Sequence, residues 1–319
     1  MTRVPMLATA GLLGGLALLT SPALAQGEPR EIARSEVEVI GAAELRGFED
    51  TGASPIEVAT RTSRTSLRVP VPVRRGALLV GANYTFLRAV FDAPGVSAER
   101  ASFHEVGVVI GGLAQLTDRW SLALAVAPSY ASDFERRSSD AINVAAFGRA
   151  SVVLRPEELE LGFGVAASYR LGRLAPLPIL ELRWVPRPEA TLHVQLPQGV
   201  RFSWIVRERW LFAAGLRLDG SRYFIGETAP ARPTTASFQR GVVSAGLSLG
   251  ARLSGPLWVE LTGGTTLYRN FELLETSAES TTGPDLDNAL FAQLAIIVRA
   301  GPRSDDADNA PSDPVAVPR

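Results

Sequence analysis

The stretch at residues 159–171 limits the fold more than any other part of the chain. Its odd positions, Leu159, Leu161, Phe163, Val165, Ala167, Tyr169 and Leu171, are apolar or aromatic. Its even positions, Glu160, Gly162, Gly164, Ala166, Ser168 and Arg170, are small or polar. A period of two places the two sets on opposite faces of one strand. A soluble β-sandwich also alternates, but its solvated face is usually rich in Thr, Lys and Glu. Here the second face is small residues with sparse charge. That suits a barrel whose outside meets lipid and whose inside is polar.

The same alternation recurs along the chain. It predicts strands at residues 36–45, 57–73, 77–91, 104–116, 120–130, 142–154, 159–171, 177–185, 191–196, 200–206, 210–225, 239–253, 257–271 and 290–300. The first is weak, with Val37 and Val39 set against Glu36 and Glu38. The count is fourteen, or twelve if both early strands fail. No later stretch is apolar for the ~20 residues a spanning helix needs. Backbone groups in lipid must be paired, so a spanning form of this chain has to be a closed barrel. The expected architecture is all-β: a transmembrane antiparallel up-and-down barrel with short periplasmic turns and longer outer loops.

The flanks read differently. Arg3, an apolar run at residues 6–19 and the small-x-small triplet Ala23-Leu24-Ala25 form a secretory signal, residues 1–25. Residues 26–35 read as an N-terminal periplasmic segment, 36–300 as the barrel, and the Pro- and Asp-rich 301–319 as a disordered tail. Net charge is −1, so nothing points to nucleic acid. There is no Cys, and His104 and His193 are the whole histidine content, which argues against thiolate or His-rich metal sites. No Gly-rich phosphate loop appears, and no metal or cofactor is expected.

Aromatic placement follows the strand ends. Trp120, Trp184, Trp204 and Trp210 lie beside turns assigned to the periplasmic side, and Tyr130 ends the strand that starts at Trp120. Ten residues at ~3.3 Å, tilted ~40°, rise roughly 25 Å, the height of the apolar band between aromatic girdles. Trp258 faces inward by parity and is a poorer girdle member. Parity also sends Glu105, Arg149, Glu160, Arg170, Glu181, Arg183, His193, Arg201, Arg217, Asp219, Arg252, Glu260 and Arg299 into the lumen. An Arg near the midplane of the lipid face costs about 2–4 kcal/mol, so inward is the sensible direction. This set reads either as a lattice of ion pairs stiffening the lumen or as an Arg-biased wall for anions and polar solutes.

From residue 176 onward a resemblance emerges. Residues 177–186 (LPILELRWVP), 192–197 (LHVQLP), 200–204 (VRFSW) and 220–223 (GSRY) occur in order. Upstream, residues 129–134 (SYASDF), the Leu-Gly-Phe-Gly-Val strand and residues 67–71 (LRVPV) belong to the same pattern. The chain resembles an uncharacterised family of bacterial outer-membrane β-barrels, a domain of unknown function, over about residues 36–300. The resemblance implies an outer-membrane location and supplies no catalytic residues. One departure is the last strand, which ends Ile297-Val298-Arg299-Ala300 with no terminal aromatic residue.

The expected function is a passive porin-like pore or an envelope structural protein, and not an enzyme. Expected partners are outer-membrane lipid, lipopolysaccharide and the barrel-assembly machinery. The alternative is a barrel enzyme or lipid-binding protein acting at the membrane rim. Ser102 and Glu105 lie near His104 in sequence, but His104 and Glu105 point to opposite faces. His193 faces the lumen near Gln195.

Overall fold

The computed structural model describes residues 30–44, 56–92, 99–170, 173–226, 236–275 and 285–300. Strands follow one another round the wall in chain order: β1 (Arg30–Glu44), β2 (Glu57–Val73), β3 (Gly76–Asp92), β4 (Glu99–Gln115), β5 (Trp120–Ser132), β6 (Ile142–Arg155), β7 (Leu159–Arg170), β8 (Arg173–Arg187), β9 (Ala190–Leu196), β10 (Gly199–Val206), β11 (Trp210–Ile225), β12 (Ala236–Ser254), β13 (Leu257–Glu275) and β14 (Leu290–Ala300). Neighbours are antiparallel, and β1 pairs with β14, closing a 14-strand barrel. A two-residue ladder, Asp285–Leu286, continues the edge of β13 beyond β14. Closure removes the free edges that an open sheet of this size would expose.

Fourteen strands, not twelve, form the wall. The limits expected for β11 and β14 coincide with those observed. The first strand begins at Arg30 rather than at residue 36, because its opening residues pair with β14 from Ala300 to Ala295. The proposed signal and tail, residues 1–25 and 301–319, lie outside the described residues. Among the described residues, helix is limited to one short 3-10 turn, Ser139–Ala141.

The oily register faces outward. Val106, Val108 and Ile110 on β4, Leu161, Phe163 and Val165 on β7, and Leu247 and Leu249 on β12 are exposed on the barrel exterior. Trp120, Trp184, Trp204 and Trp210 are also exposed there, near the end that carries the short turns. Trp258 is buried on the inner face against Leu211, Ala295 and Ile297. An apolar belt this extensive is far larger than the patches a soluble monomer exposes.

The interior differs from a uniformly hydrophilic lining. At the loop end, Phe103, Tyr223, Phe238 and Phe271 stack across the barrel, with Ile40, Val58, Leu87 and Phe291 packed around them. The Phe103 and Phe238 rings lie 4.7 Å apart and within 3° of parallel. At the turn end, Leu211, Trp258, Ala295 and Ile297 form a smaller apolar cluster on one side of the inner wall, from β11, β13 and β14. The loop-end positions are apolar because opposite walls touch there, and a position that meets protein rather than water packs as a core.

One local feature brings the walls together. β9 and β10 have 7 and 8 residues, whereas their neighbours β8 and β11 have 15 and 16. Pairing of β10 with β11 stops at Arg217, so the rest of β11 loses its neighbour. It leans into the barrel and meets β5, where Phe224 pairs with Ser132 in parallel and Asp133 N–H donates to the Phe224 carbonyl at 3.2 Å. Both registers of β11 are consequently buried near this end: Tyr223 is 1 % exposed and Phe224 7 %.

Candidate functional site

Between these two apolar clusters lies a charged layer. Glu36 and Glu38 on β1 are separated by Val37 and so share the inner face. Glu36 accepts from Arg34 at 2.6 Å, from Arg64 at 3.1 Å and from the Gln293 amide at 2.6 Å. Glu38 accepts from Arg217 at 3.2 Å and from Arg240 at 3.4 Å. Asp219 on β11 accepts from Arg64 on β2, with Arg217 at 3.4 Å and Arg240 at 3.6 Å. Three carboxylates and four guanidinium groups thus tie β1 and β2 to β11 and β12 across the lumen. Glu36, Glu38 and Arg240 are buried. A cavity of about 70 Å3 is bounded by Arg34, Glu36, Arg64, Glu105, Asp219 and Tyr223.

A second cluster lies on adjacent strands. Arg149 on β6 forms an ion pair with Glu181 on β8, passing over β7. Glu181 also bonds His193 Nε2 on β9 at 2.9 Å. The passage exists because Gly162 and Gly164 of β7 carry no side chain. A Cβ at Gly162 would meet Arg149 Cδ and Glu181 Cβ, each at 3.2 Å. The small face of the 159–171 stretch is therefore clearance for an ion pair.

The residues expected in the lumen fall into three groups. Arg217 and Asp219 belong to the cross-barrel layer, and Arg201 meets Glu260 at 2.9 Å beside it. Arg149, Glu181 and His193 form the second cluster, and Glu160 and Arg183 share its inner face, with Arg183 buried. The others sit apart. Glu105 accepts from Ser129 at 2.9 Å, and Arg252 wraps the β12–β13 turn onto the Gly255 carbonyl at 2.6 Å. Arg299 lies 4.9 Å from the centre of the Trp258 ring. Arg170 is in β7, and its side chain lies outside the described residues. Tyr130 donates to the Arg136 carbonyl at 3.4 Å, in the loop after β5.

Sequence reasoning missed Arg34, Glu36, Glu38, Arg64 and Arg240, five of the seven charged groups of the cross-barrel layer. The alternation of Glu36 and Glu38 with Val37 and Val39 was the available signal for the two carboxylates. Arg240 had none, since its inner-face neighbours Phe238 and Val242 are apolar. His104 lies on the outer face, with Nδ1 2.8 Å from the Tyr84 hydroxyl and its ring against Phe86 and Phe134.

Solved structures of general likeness are barrels. One is a mutant of the monoaromatic hydrocarbon channel TodX, 11% identical, covering 89% of this chain and 94% of that one with a TM-score of 0.45. Another is the COG4313 outer membrane channel of Pseudomonas putida F1, 9% identical, covering 87% and 99% with a TM-score of 0.45. A third is the KdgM porin bound to oligogalacturonate, 6% identical, covering 84% and 98% with a TM-score of 0.34. Likeness at this level carries no argument about function. No curated protein matches. A family model does match, over residues 79–297, which is more than half of the chain and takes in all of β4 to β13, and the chain accordingly belongs to the domain-of-unknown-function family DUF6268.

Proposed function

We propose that this protein is an outer-membrane barrel of the channel type whose lumen is closed in the conformation described. The apolar exterior supports membrane insertion, with the short-turn end periplasmic and outer-leaflet lipid and lipopolysaccharide around the loop end. Insertion by the barrel-assembly machinery follows from that placement. The observation that carries the closed-channel reading is the charged layer. Glu36, Glu38 and Asp219 hold β1 and β2 against β11 and β12 by guanidinium bridges. Because the wall is already closed by hydrogen bonds, these bridges act between facing walls, where they hold the lumen shut.

Planar-bilayer recording of purified protein tests this. The wild type should show rare, brief current steps. A Glu38→Gln, Asp219→Asn variant leaves Arg64, Arg217 and Arg240 facing one another without two of their counter-charges. Their mutual repulsion pushes β11 and β12 away from β1 and β2, so the open fraction should rise at least tenfold. Silence in both proteins, with folding confirmed, would leave the barrel a structural element of the envelope.

A further inference from the structure

Among the described residues, the short β9–β10 hairpin leaves a window in the wall. Pairing of β8 with β9 ends at Leu180, and pairing of β11 with β10 ends at Arg217. Beyond these points β8 and β11 face each other across a gap whose floor is the hairpin tip at Pro197 and Gln198. The sequence keeps the β8 side of the gap unpaired. Val185 N–H donates to the Glu158 carbonyl, toward β7. Amide direction alternates along a strand, so the even-numbered backbone nitrogens of β8 point toward β9 and the gap. Two of those positions are Pro176 and Pro178, which have no N–H to offer. Both are exposed. They lie eight and six residues from Trp184, or ~15–20 Å above the Trp ring, in the outer half of a ~25 Å apolar band. The window therefore faces lipid.

Behind it side chains pack into an apolar compartment separate from the cross-barrel charged layer. Ala123, Ala125, Phe147, Ala166 and Ile179 from the inner faces of β5 to β8 form its back wall. Leu218 packs against them from the outward register of β11, together with Leu113 and Leu177. Ser168, on the same face of β7 as Ala166, is 2 % exposed. Its hydroxyl has no hydrogen-bond partner among the described residues. Buried polar groups are normally satisfied, so this unmet hydroxyl beside an apolar wall is open to a ligand's polar end.

We propose that this compartment binds a small apolar molecule carrying one hydrogen-bonding group, which enters through the β8–β11 window from the outer leaflet. The molecule displaces the Leu218 and Leu177 side chains, lies against Phe147 and Ala166, and meets the Ser168 hydroxyl with its polar end. The proposal rests on the membrane placement above and is independent of whether the charged layer opens.

The test uses the full-length protein in lipid vesicles and a membrane-dissolved adamantyl diazirine, with carbene insertion mapped by peptide mass spectrometry. Leu161 and Val165 on the outer face report membrane insertion. The expected result is label on those residues and on Phe147, Ile179 and Leu218, the last three at least tenfold above Leu211, Ala295 and Ile297, which are equally apolar but far from the window. 1-Naphthaldehyde should suppress label in the compartment more strongly than naphthalene, and Ser168→Ala should remove that difference. Ala166→Phe, which fills the compartment, should abolish label on Phe147 while Val165 stays labelled, showing that the variant is folded. Label on Val165 with no excess on Phe147, Ile179 and Leu218 overturns the window. An unlabelled Leu161 and Val165 overturns the membrane placement on which it rests.

Discussion

Gly162 shows how much a single missing side chain permits. Arg149 reaches Glu181 two strands away only because the strand between them presents hydrogen where other residues present Cβ. Gly162→Val adds three carbons to a space already held by Arg149 and Glu181. Overpacking of this kind costs about 1–3 kcal/mol. The denaturant midpoint for unfolding from vesicles should fall accordingly, and Arg149→Met should recover part of the loss by vacating the space. Glu181 makes a complementary prediction. Both Arg149 and Glu181 are buried, so Glu181→Gln takes the ion-pair partner from a guanidinium held in the wall. Removing one partner of a buried pair costs about 3–5 kcal/mol. The paired change Arg149→Met with Glu181→Leu should cost much less than Glu181→Gln alone. Equal losses would show that the pair contributes by its own attraction rather than by avoiding a stranded charge.

At the scale of the strand, legibility depends on what each face meets. β7 was plain in the sequence because large residues face out and small ones face in, so the period of two is undiluted. The extent of β11 was equally plain, but the facing of its loop-end half was not, because Tyr223 and Phe224 are both buried and the contrast between registers vanishes there. The cross-barrel layer was hidden for another reason. Arg64 and Asp219 are 155 residues apart and Glu38 and Arg240 are 202 apart. Periodicity fixes which face a residue occupies, but which inward charges meet depends on how the closed wall is flattened, and that follows from the short β9 and β10. The prolines of β8 belong to this scale too. Without them, the free edge would offer a row of donors to any passing strand. Pro176→Thr with Pro178→Thr restores two of those donors. Size-exclusion chromatography with light scattering should show this variant shifted toward larger species than the wild type, through β8 edges pairing between barrels. An unchanged profile would mean that the gap is shielded by something other than missing donors.

In the whole molecule the apolar and charged layers lie in series along one axis, and this determines how they respond to mutation. Any current through the proposed channel must pass the stacked aromatic layer and the charged layer in turn, so the tighter of them sets the flow. Phe238→Ala removes the ring at the centre of the stack with Phe103, Tyr223 and Phe271. Truncating a buried Phe costs about 3–5 kcal/mol of stability, yet by itself it leaves the ion pairs in place. Its effect on conductance should be small. Joined to Glu38→Gln and Asp219→Asn, it should raise the open fraction by more than the product of the separate effects, since the same two strands, β11 and β12, carry both layers. Salt should matter little to this coupling, because buried pairs are screened far less than exposed ones. Recording the wild type and the three variants at low and high salt distinguishes the cases. A multiplicative result would mean that the layers open independently, and a strong salt dependence would mean that the charged layer is already wet. A more-than-multiplicative, salt-insensitive result is what a single moving wall, β11 with β12, produces.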